Sequence, residues 1–287
     1  MILIIYEDAD LSTLTFIDYC KQNLLPHKAV SIASLAKEDV QIIDSPSNCL
    51  WKLAEQEISF NNIRGIYLRC QYLPMNSFSD YHQNDRPYVQ KEWWSYLVYT
   101  MAKHPNCINA ITNETISNVI AELPFFLNCA KKAGLLTPQH LFSQSFRELE
   151  GIFNQDDKRY LVAYSLIPTS DFRASSAINA NAIGLIEYIK GLPILVHIVG
   201  ENVFACTYTK SDRTTIILEE GLRLKCLKMC HNLSVTIAQI IFIQSEIDNE
   251  KYLINFSVIP NWDLNNKNTT LDIFNKLYQV LLQTERM

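Results

Sequence analysis

Glycine is scarce: the chain holds seven in 287 residues, where average usage of about 7% would give roughly 20. Loops that close over phosphate groups rely on glycine, because backbone N–H donors must reach the oxygens with no Cβ in the way. No glycine occurs between Gly151 and Gly184. Charge is thin as well, 19% charged against 48% hydrophobic residues, with a formal net charge of −5. That composition excludes a disordered chain and carries no sign of a general nucleic-acid surface. Nothing reaches the roughly 18 uninterrupted apolar residues needed to span a bilayer. The first residues, M-I-L-I-I-Y-E-D, have no basic lead and meet acids too early for a secretory signal. Eight cysteines without a C-x-x-C pair fit reduced thiols and a cytoplasmic location.

What is present is an ordinary globular chain, long enough for one large or two to three small domains. Met1–Tyr6 reads as a buried strand, Glu7-Asp8-Ala9-Asp10 as the loop after it, and Ser12 as the cap of a helix from Leu14 towards Asn23. Phe16, Ile17 and Cys20 fall on the inner face of that helix. Lys28–Ile32, Val40–Ile43 and Gly65–Arg69 read as further strands, and Leu50–Leu53 with Glu57–Phe60 as an edge hairpin. Strands alternating with helices point to an open α/β sheet, whose ligands sit beyond the carboxyl ends of strands. Glu7, Asp8 and Arg69 stand at such ends, either as part of a site or as solvated loop charges. Asp85 and Pro87 open a helix with Trp93, Trp94, Leu97, Val98 and Met101 on its inner stripe. His82, Asp85, Arg86 and Glu92 cluster at its start, where they can hold a peptide or cap the helix end.

Cys107–Ala110 reads as a short strand. A helix starts at Asn113 or Thr115 and reaches Lys132, with Gly134 as its C-cap. Ser143–Phe153 reads as a helix and Tyr160–Ile167 as a strand. Ile183–Ile189 is an apolar, β-branched run around the single acid Glu187, and Pro193–Val199 is a second such run. Gly200-Glu201-Asn202 before Val203-Phe204-Ala205 reads as a tight hairpin turn. Asp212-Arg213 falls in a loop, and Glu219–Cys230 in a helix with Cys226 and Cys230 on one face. Two thiols without a second pair of ligands do not make a structural zinc site, so no metal is expected there. Ser234–Gln244 and Lys251–Ile259 form a strand pair about Asp248-Asn249. Thr269 or Thr270 caps a last helix with Leu271, Phe274, Leu277, Val280 and Leu281 inward.

The strand, Gly-Pro corner and hairpin of Ile183–Tyr208, with the run A-K-K-A-G-L-L-T-P-Q-H-L and the segment E-W-W-S-Y-L, resemble the ATP-grasp superfamily. The likeness is nearest to the microviridin-type ligases that cyclise ribosomally made peptides. It implies an ATP-grasp-like α/β fold: an N-terminal α/β domain over residues 1–110, then an ATP-grasp-like region over 111–287. That region would hold a small lid at about 137–190 and a C-terminal antiparallel sheet with helices. It also implies that Glu187 and Tyr188 meet the adenine. Separately, the unusually polar approach to the strongly aromatic helix is expected to place Arg69, His82, Asp85, Arg86 and Glu92 in a groove for a peptide or protein.

Several positions that would do chemistry in that family carry the wrong residue here. A Lys and a Gln expected one and two turns before the Ala of the lid-entry run fall on Leu123 and Phe126. The phosphate lysine falls on Ser165, with Lys158 and Arg159 too early and Arg173 too late, and the arginine after the Pro193 corner falls on Leu195. The first magnesium acid falls near Ile241-Phe242, and the E-x-N of the second strand reads Asn255-Phe256-Ser257. The expectation is therefore a pseudo-enzyme that binds a peptide or protein partner, with no cofactor. Two other readings are an active ATP- and magnesium-dependent carboxylate–amine or –hydroxyl ligase, a peptide maturase, and an unrelated α/β protein. Nucleic acid and membrane are not expected as partners, and self-association into a homo-oligomer stays open.

Overall fold

The structure, a computed structural model, describes residues 1–36, 40–45, 48–53, 56–70, 73, 75–104, 106–108, 123–155, 159–164, 175, 177–208, 213–262 and 265–283. It divides into two compact units: Met1–Asn113 with Asn261–Asp263 and Thr270–Met287, and Glu114–Pro260 with Leu264–Thr269. The sequence reading placed one boundary at residue 110. The C-terminal helix from Thr270 on instead belongs with the first unit, because its apolar stripe packs there.

In the first unit, β1 (Ile2–Tyr6), α1 (Leu11–Gln22), β2 (His27–Ser31), the one-turn α2 (Ile32–Leu35) and β6 (Gly65–Arg69) build a parallel sheet. Its strand order is β2-β1-β6-β7, with β7 at Cys107–Ile108. The apolar run of β1 is buried throughout, as expected of a strand covered on both faces. A separate antiparallel meander of β3 (Gln41–Ser45), β4 (Asn48–Leu53) and β5 (Gln56–Ser59) buries Trp51 against Phe60. Helix α3 (Arg86–Ala102) carries Pro87 in its first turn and buries Leu97, Val98 and Met101, as the stripe predicts. Phe16 of α1 packs against Phe274 of α7 (Lys267–Leu282) at 5.2 Å between ring centroids.

Two of these helix starts differ from expectation, while α3 starts after Asp85 as expected. Asp10, not Ser12, caps α1: its carboxylate accepts from the Thr13 N–H at 3.2 Å and the Thr13 hydroxyl at 2.6 Å. Ser12 is buried and occupied elsewhere, donating to Asn261 Oδ1 at 3.0 Å and accepting from the Trp262 N–H at 3.1 Å. Helix α7 is capped by Asn266, whose Oδ1 accepts from the Thr269 N–H at 2.9 Å. Leu271, expected inward, is 42% exposed, and Ile273 is in the core beside Phe274, Leu277, Val280 and Leu281. Asp85 occupies the cap position of α3 without a side-chain cap bond.

At the end of α1, Leu24 takes the left-handed position of the helix stop, with φ +54°. Leu25 N–H donates to Cys20 O and Leu24 N–H to Lys21 O, the pairing that ordinarily places glycine here. Leu24 is 89% exposed, so its side chain contributes little packing. Replacing Leu24 with Gly relieves the Cβ conflict and is expected to raise stability by about 1 kcal/mol. A urea midpoint equal to or below wild type would count against that account.

In the second unit, β8 (His140–Phe142), β9 (Tyr160–Ala163) and β10 (Gly184–Glu187) form a small antiparallel sheet in the order β8-β10-β9. Helix α5 (Phe146–Gln155) covers it through Leu149, which packs with Tyr160, Val162 and Leu185. This is the lid-sized subdomain expected around 137–190. Its helix starts at Phe146, not Ser143, because Ser145 accepts the Glu148 and Leu149 N–H groups. The larger antiparallel sheet runs β13 (Arg213–Ile216), β12 (Asn202–Tyr208), β11 (Gly191–Val199), β14 (Ile237–Ser245), β15 (Lys251–Ser257). One face of it packs on α4 (Leu123–Ala133) and α6 (Glu220–Asn232).

The hairpin at Gly200-Glu201 is as expected, with Val199 paired to Asn202 and Gly200 at φ +57°. Arg213, expected in a loop, opens β13 opposite Tyr208. Gly191 is fixed by space: a Cβ there would stand 1.8 Å from the Gln244 carbonyl oxygen. The expectations for Lys158, Ser165, Arg173, Asp212 and a helix start at Asn113 or Thr115 lie outside the described residues.

Candidate functional site

On β11, Ile194, Val196 and Ile198 point into the core under α4 and α6, so Leu195 and His197 point to the other face. Register extends that face across the sheet. Leu195 stands opposite Cys206 on one side and Ile241 on the other, and Ile241 stands opposite Asn255. Phe204, His197, Gln239 and Ser257 form the next row. A β-bulge between Ile241 and Phe242 shifts the β14–β15 register, so Leu253 and Phe256 both reach the core while Asn255 and Ser257 face the row. The bulge also settles which of Ile241 and Phe242 faces Asn255. It is Ile241, since Phe242 is in the core.

The positions the resemblance assigns to an arginine, a first acid and a second acid are thus neighbours in one row: Leu195, Ile241, Asn255. Leu195 is 2% exposed and Ile241 9%, and Asn255 and Ser257 are half-buried. The Ser257 hydroxyl is engaged with Ile259, donating to its carbonyl at 3.0 Å and accepting from its N–H at 3.1 Å. The row offers neither a cation for a phosphate nor a carboxylate for magnesium, which needs hard oxygen ligands to leave water. These residues do not fit Mg-ATP.

His197 and Gln239 belong to the same face and were missed from the sequence. Counting two residues on from Leu195 and two back from Ile241 would have found them. His197 is fully buried, and that burial pushes its pKa down to about 3 from an ordinary 6.5. The ring is therefore neutral when folded and takes up its proton near pH 6.5 only when unfolded. Its contribution to stability is whole above pH 6.5 and is lost as pH falls towards 3. Between pH 7 and pH 5 this one group is expected to remove about 2 kcal/mol. Urea unfolding of wild type and His197→Leu at both pH values checks it, the variant showing a flatter pH dependence. Equal slopes would refute the assignment.

Glu187 ends β10 and Tyr188 follows it. The Glu187 N–H donates to Gln139 O at 2.8 Å, its Oε2 accepts from Gln139 N–H at 3.3 Å, and Tyr188 N–H donates to Arg159 O at 2.8 Å. A second strap ties the lid entry to the sheet, with Leu253 N–H donating to Leu136 O at 2.8 Å. Cys226 and Cys230 lie in the core beneath α6, where burial holds both thiols protonated. Among the described residues no group of three His, Cys, Asp or Glu is placed to hold a metal ion.

Of the groove residues, the structure brings His82, Asp85 and Arg86 into one turn. The N–H groups of Asp85 and Arg86 donate to His82 O, and Arg86 reaches back to the carbonyls of Tyr81 and Ser79. Glu92 is exposed farther along α3, and the exposed rings of Tyr81 and Tyr88 flank the turn. Arg69 is not part of this surface. It is 3% exposed at the end of β6, where Nε donates to Asp10 Oδ2 at 2.9 Å and Thr13 Oγ1 at 3.0 Å, and Nη2 to Asp10 Oδ1 at 3.0 Å. Burial pushes the Asp10 carboxyl up, but its bonds to Arg69 and Thr13 outweigh that and leave it below the usual carboxylate range. Glu7, beside it, is pushed up by burial and by the Asp10 charge.

No family profile and no curated protein matches the sequence. Solved structures do match the fold. Macrocyclase MdnC bound with precursor peptide MdnA, from Microcystis aeruginosa MRC, is 14% identical over 98% of this chain and 99% of that chain, with a TM-score of 0.77. The Chryseobacterium gregarium RiPP-associated ATP-grasp ligase, in complex with ADP and a leader and core peptide, is 13% identical over 99% and 97%, also with a TM-score of 0.77. D-alanine–D-alanine ligase from Bacillus anthracis, complexed with ATP, is 12% identical over 99% and 95%, with a TM-score of 0.56. The chain has an ATP-grasp fold, and over nearly its whole length it is the fold of the peptide macrocyclases.

Proposed function

We propose that this protein binds a peptide or protein partner on an ATP-grasp scaffold and does not turn over Mg-ATP. The observation that carries this reading is the row Leu195–Ile241–Asn255. Three positions where the family would place charge meet side by side, and all three are uncharged. A peptide partner is supported by the fold, since similar structures hold precursor, leader and core peptides. On this chain the partner surface is the α3 entry, where Tyr81, Tyr88 and Arg86 supply the residue types that anchor interfaces, with His82, Asp85 and Glu92 around them. Glu187 and Tyr188 retain a place for an adenine ring, so adenosine binds weakly and without magnesium. The test is phosphate release from Mg-ATP, with and without a short precursor-type peptide encoded beside the gene. No release above background is expected, and peptide-dependent release would establish the ligase instead. Hydrogen exchange with the same peptide is expected to protect residues 81–92; a bound peptide that leaves them unchanged would move the partner surface elsewhere.

A further inference from the structure

The second unit carries a basic face that the ATP-grasp reading does not use. Helices α4 and α6 pack side by side, and their outward surfaces present Lys131, Lys132, Lys225 and Lys228. The Lys225 stem lies across the end of α4, with Cε and Cδ 3.6 and 3.9 Å from where a Cβ on Gly134 would be. Lys225 is thereby drawn to the turn that follows Lys131 and Lys132. Among the described residues none of these four ammonium groups has a carboxylate within 4.0 Å. The nearby acids are already committed: Glu220 is paired with Arg223 at 2.8 Å and Glu219 with Lys251 at 2.9 Å. Glu201 lies towards Arg223. Lysines in the last turn of α4 balance its dipole, which accounts for Lys131 and Lys132. It does not account for Lys225 and Lys228 in the middle of α6. Leu224, 52% exposed, sits among them as an apolar contact.

We propose that this face docks an acidic polypeptide segment with interspersed apolar side chains. A concentrated positive field on a chain of net charge −5 selects a short acidic partner. A long nucleic acid would run past the patch within the Debye length, about 8 Å at physiological salt, and meet the negative remainder. Leu224 gives the apolar side chains of such a segment a contact beside the lysines. The proposal is independent of Mg-ATP and of the α3 surface.

Fluorescence anisotropy of the intact protein with a short fluorescein-labelled Glu/Leu peptide tests it at low and physiological salt. Binding is expected to weaken with salt, and Lys225→Glu with Lys228→Glu is expected to weaken it about tenfold. Lys131→Gln with Lys132→Gln, a milder pair, is expected to give a smaller loss in the same direction. Arg86→Ala is expected to leave it unchanged. No binding by the wild type, equal binding of a Gln/Leu peptide, or unchanged affinity in both lysine pairs would overturn the proposal. Tighter binding of a single-stranded oligonucleotide of equal charge would overturn it in favour of nucleic acid.

Discussion

Titration calorimetry with Mg-ATP is expected to give no magnesium-dependent isotherm in the micromolar range. A bound triphosphate needs cations on its oxygens and carboxylates on its metal. Losing the partner of a buried charge typically costs a few kcal/mol, since the charge is left uncompensated. On the proposed reading, Leu195, Ile241 and Asn255 stand in one row where the resemblance implies one cation and two carboxylates. Each 1.4 kcal/mol is tenfold, so the combined loss moves an ordinary micromolar affinity beyond roughly millimolar. Thermal stability carries the same signature. A ligand at a hundred times its dissociation constant stabilises by about 2.7 kcal/mol, whereas one present near or below that constant adds a few tenths. Mg-ATP at about 1 mM is therefore expected to leave the unfolding temperature unmoved. A micromolar, magnesium-dependent isotherm, with or without peptide, would overturn the pseudo-enzyme reading. Residues outside the row would then have to supply the charge.

What the sequence disclosed follows from how local each signal is. The β1 and β6 strands and the Gly200-Glu201 hairpin were readable because a buried run or a two-residue turn is written in consecutive residues. The start of α1 was not. Asp10 and Ser12 are both capping residues two positions apart, and the choice between them is made by Asn261 and Trp262, distant in the chain. The α7 start failed for a related reason. The run from Thr269 to Leu281 holds enough apolar residues to draw a stripe through either Leu271 or Ile273, and packing of Phe274 on Phe16 and Tyr19, distant in the chain, goes with the second. The site was legible as single positions but not as a place. That Leu195, Ile241 and Asn255 touch one row depends on pairing between three strands and on the bulge at Ile241/Phe242, neither of which any short window contains. Arg69 shows the converse: a charge at a strand end looks like a site until its partner is known.

That partner makes Arg69→Met a strongly destabilising substitution. The guanidinium is buried, and two of its nitrogens hold both oxygens of Asp10 while one also meets Thr13. Removing it strands a carboxylate that is itself only 14% exposed, a change typically worth about 3–5 kcal/mol. Asp10 also caps α1, so the helix start loosens with it. The pH dependence identifies the cause. In the wild type the Asp10 carboxyl lies below its ordinary value, so its contribution is present above about pH 4 and lost as pH falls through the lowered folded value. In Arg69→Met only burial and the Thr13 bonds remain, and burial favours the protonated form. The gap between variant and wild type is thus expected to narrow on acidification. Urea unfolding at neutral pH and near pH 4 measures both. A variant within about 0.5 kcal/mol of wild type, as for an ordinary surface change, would refute the buried pair. Lost peptide affinity with stability intact would return Arg69 to the partner surface.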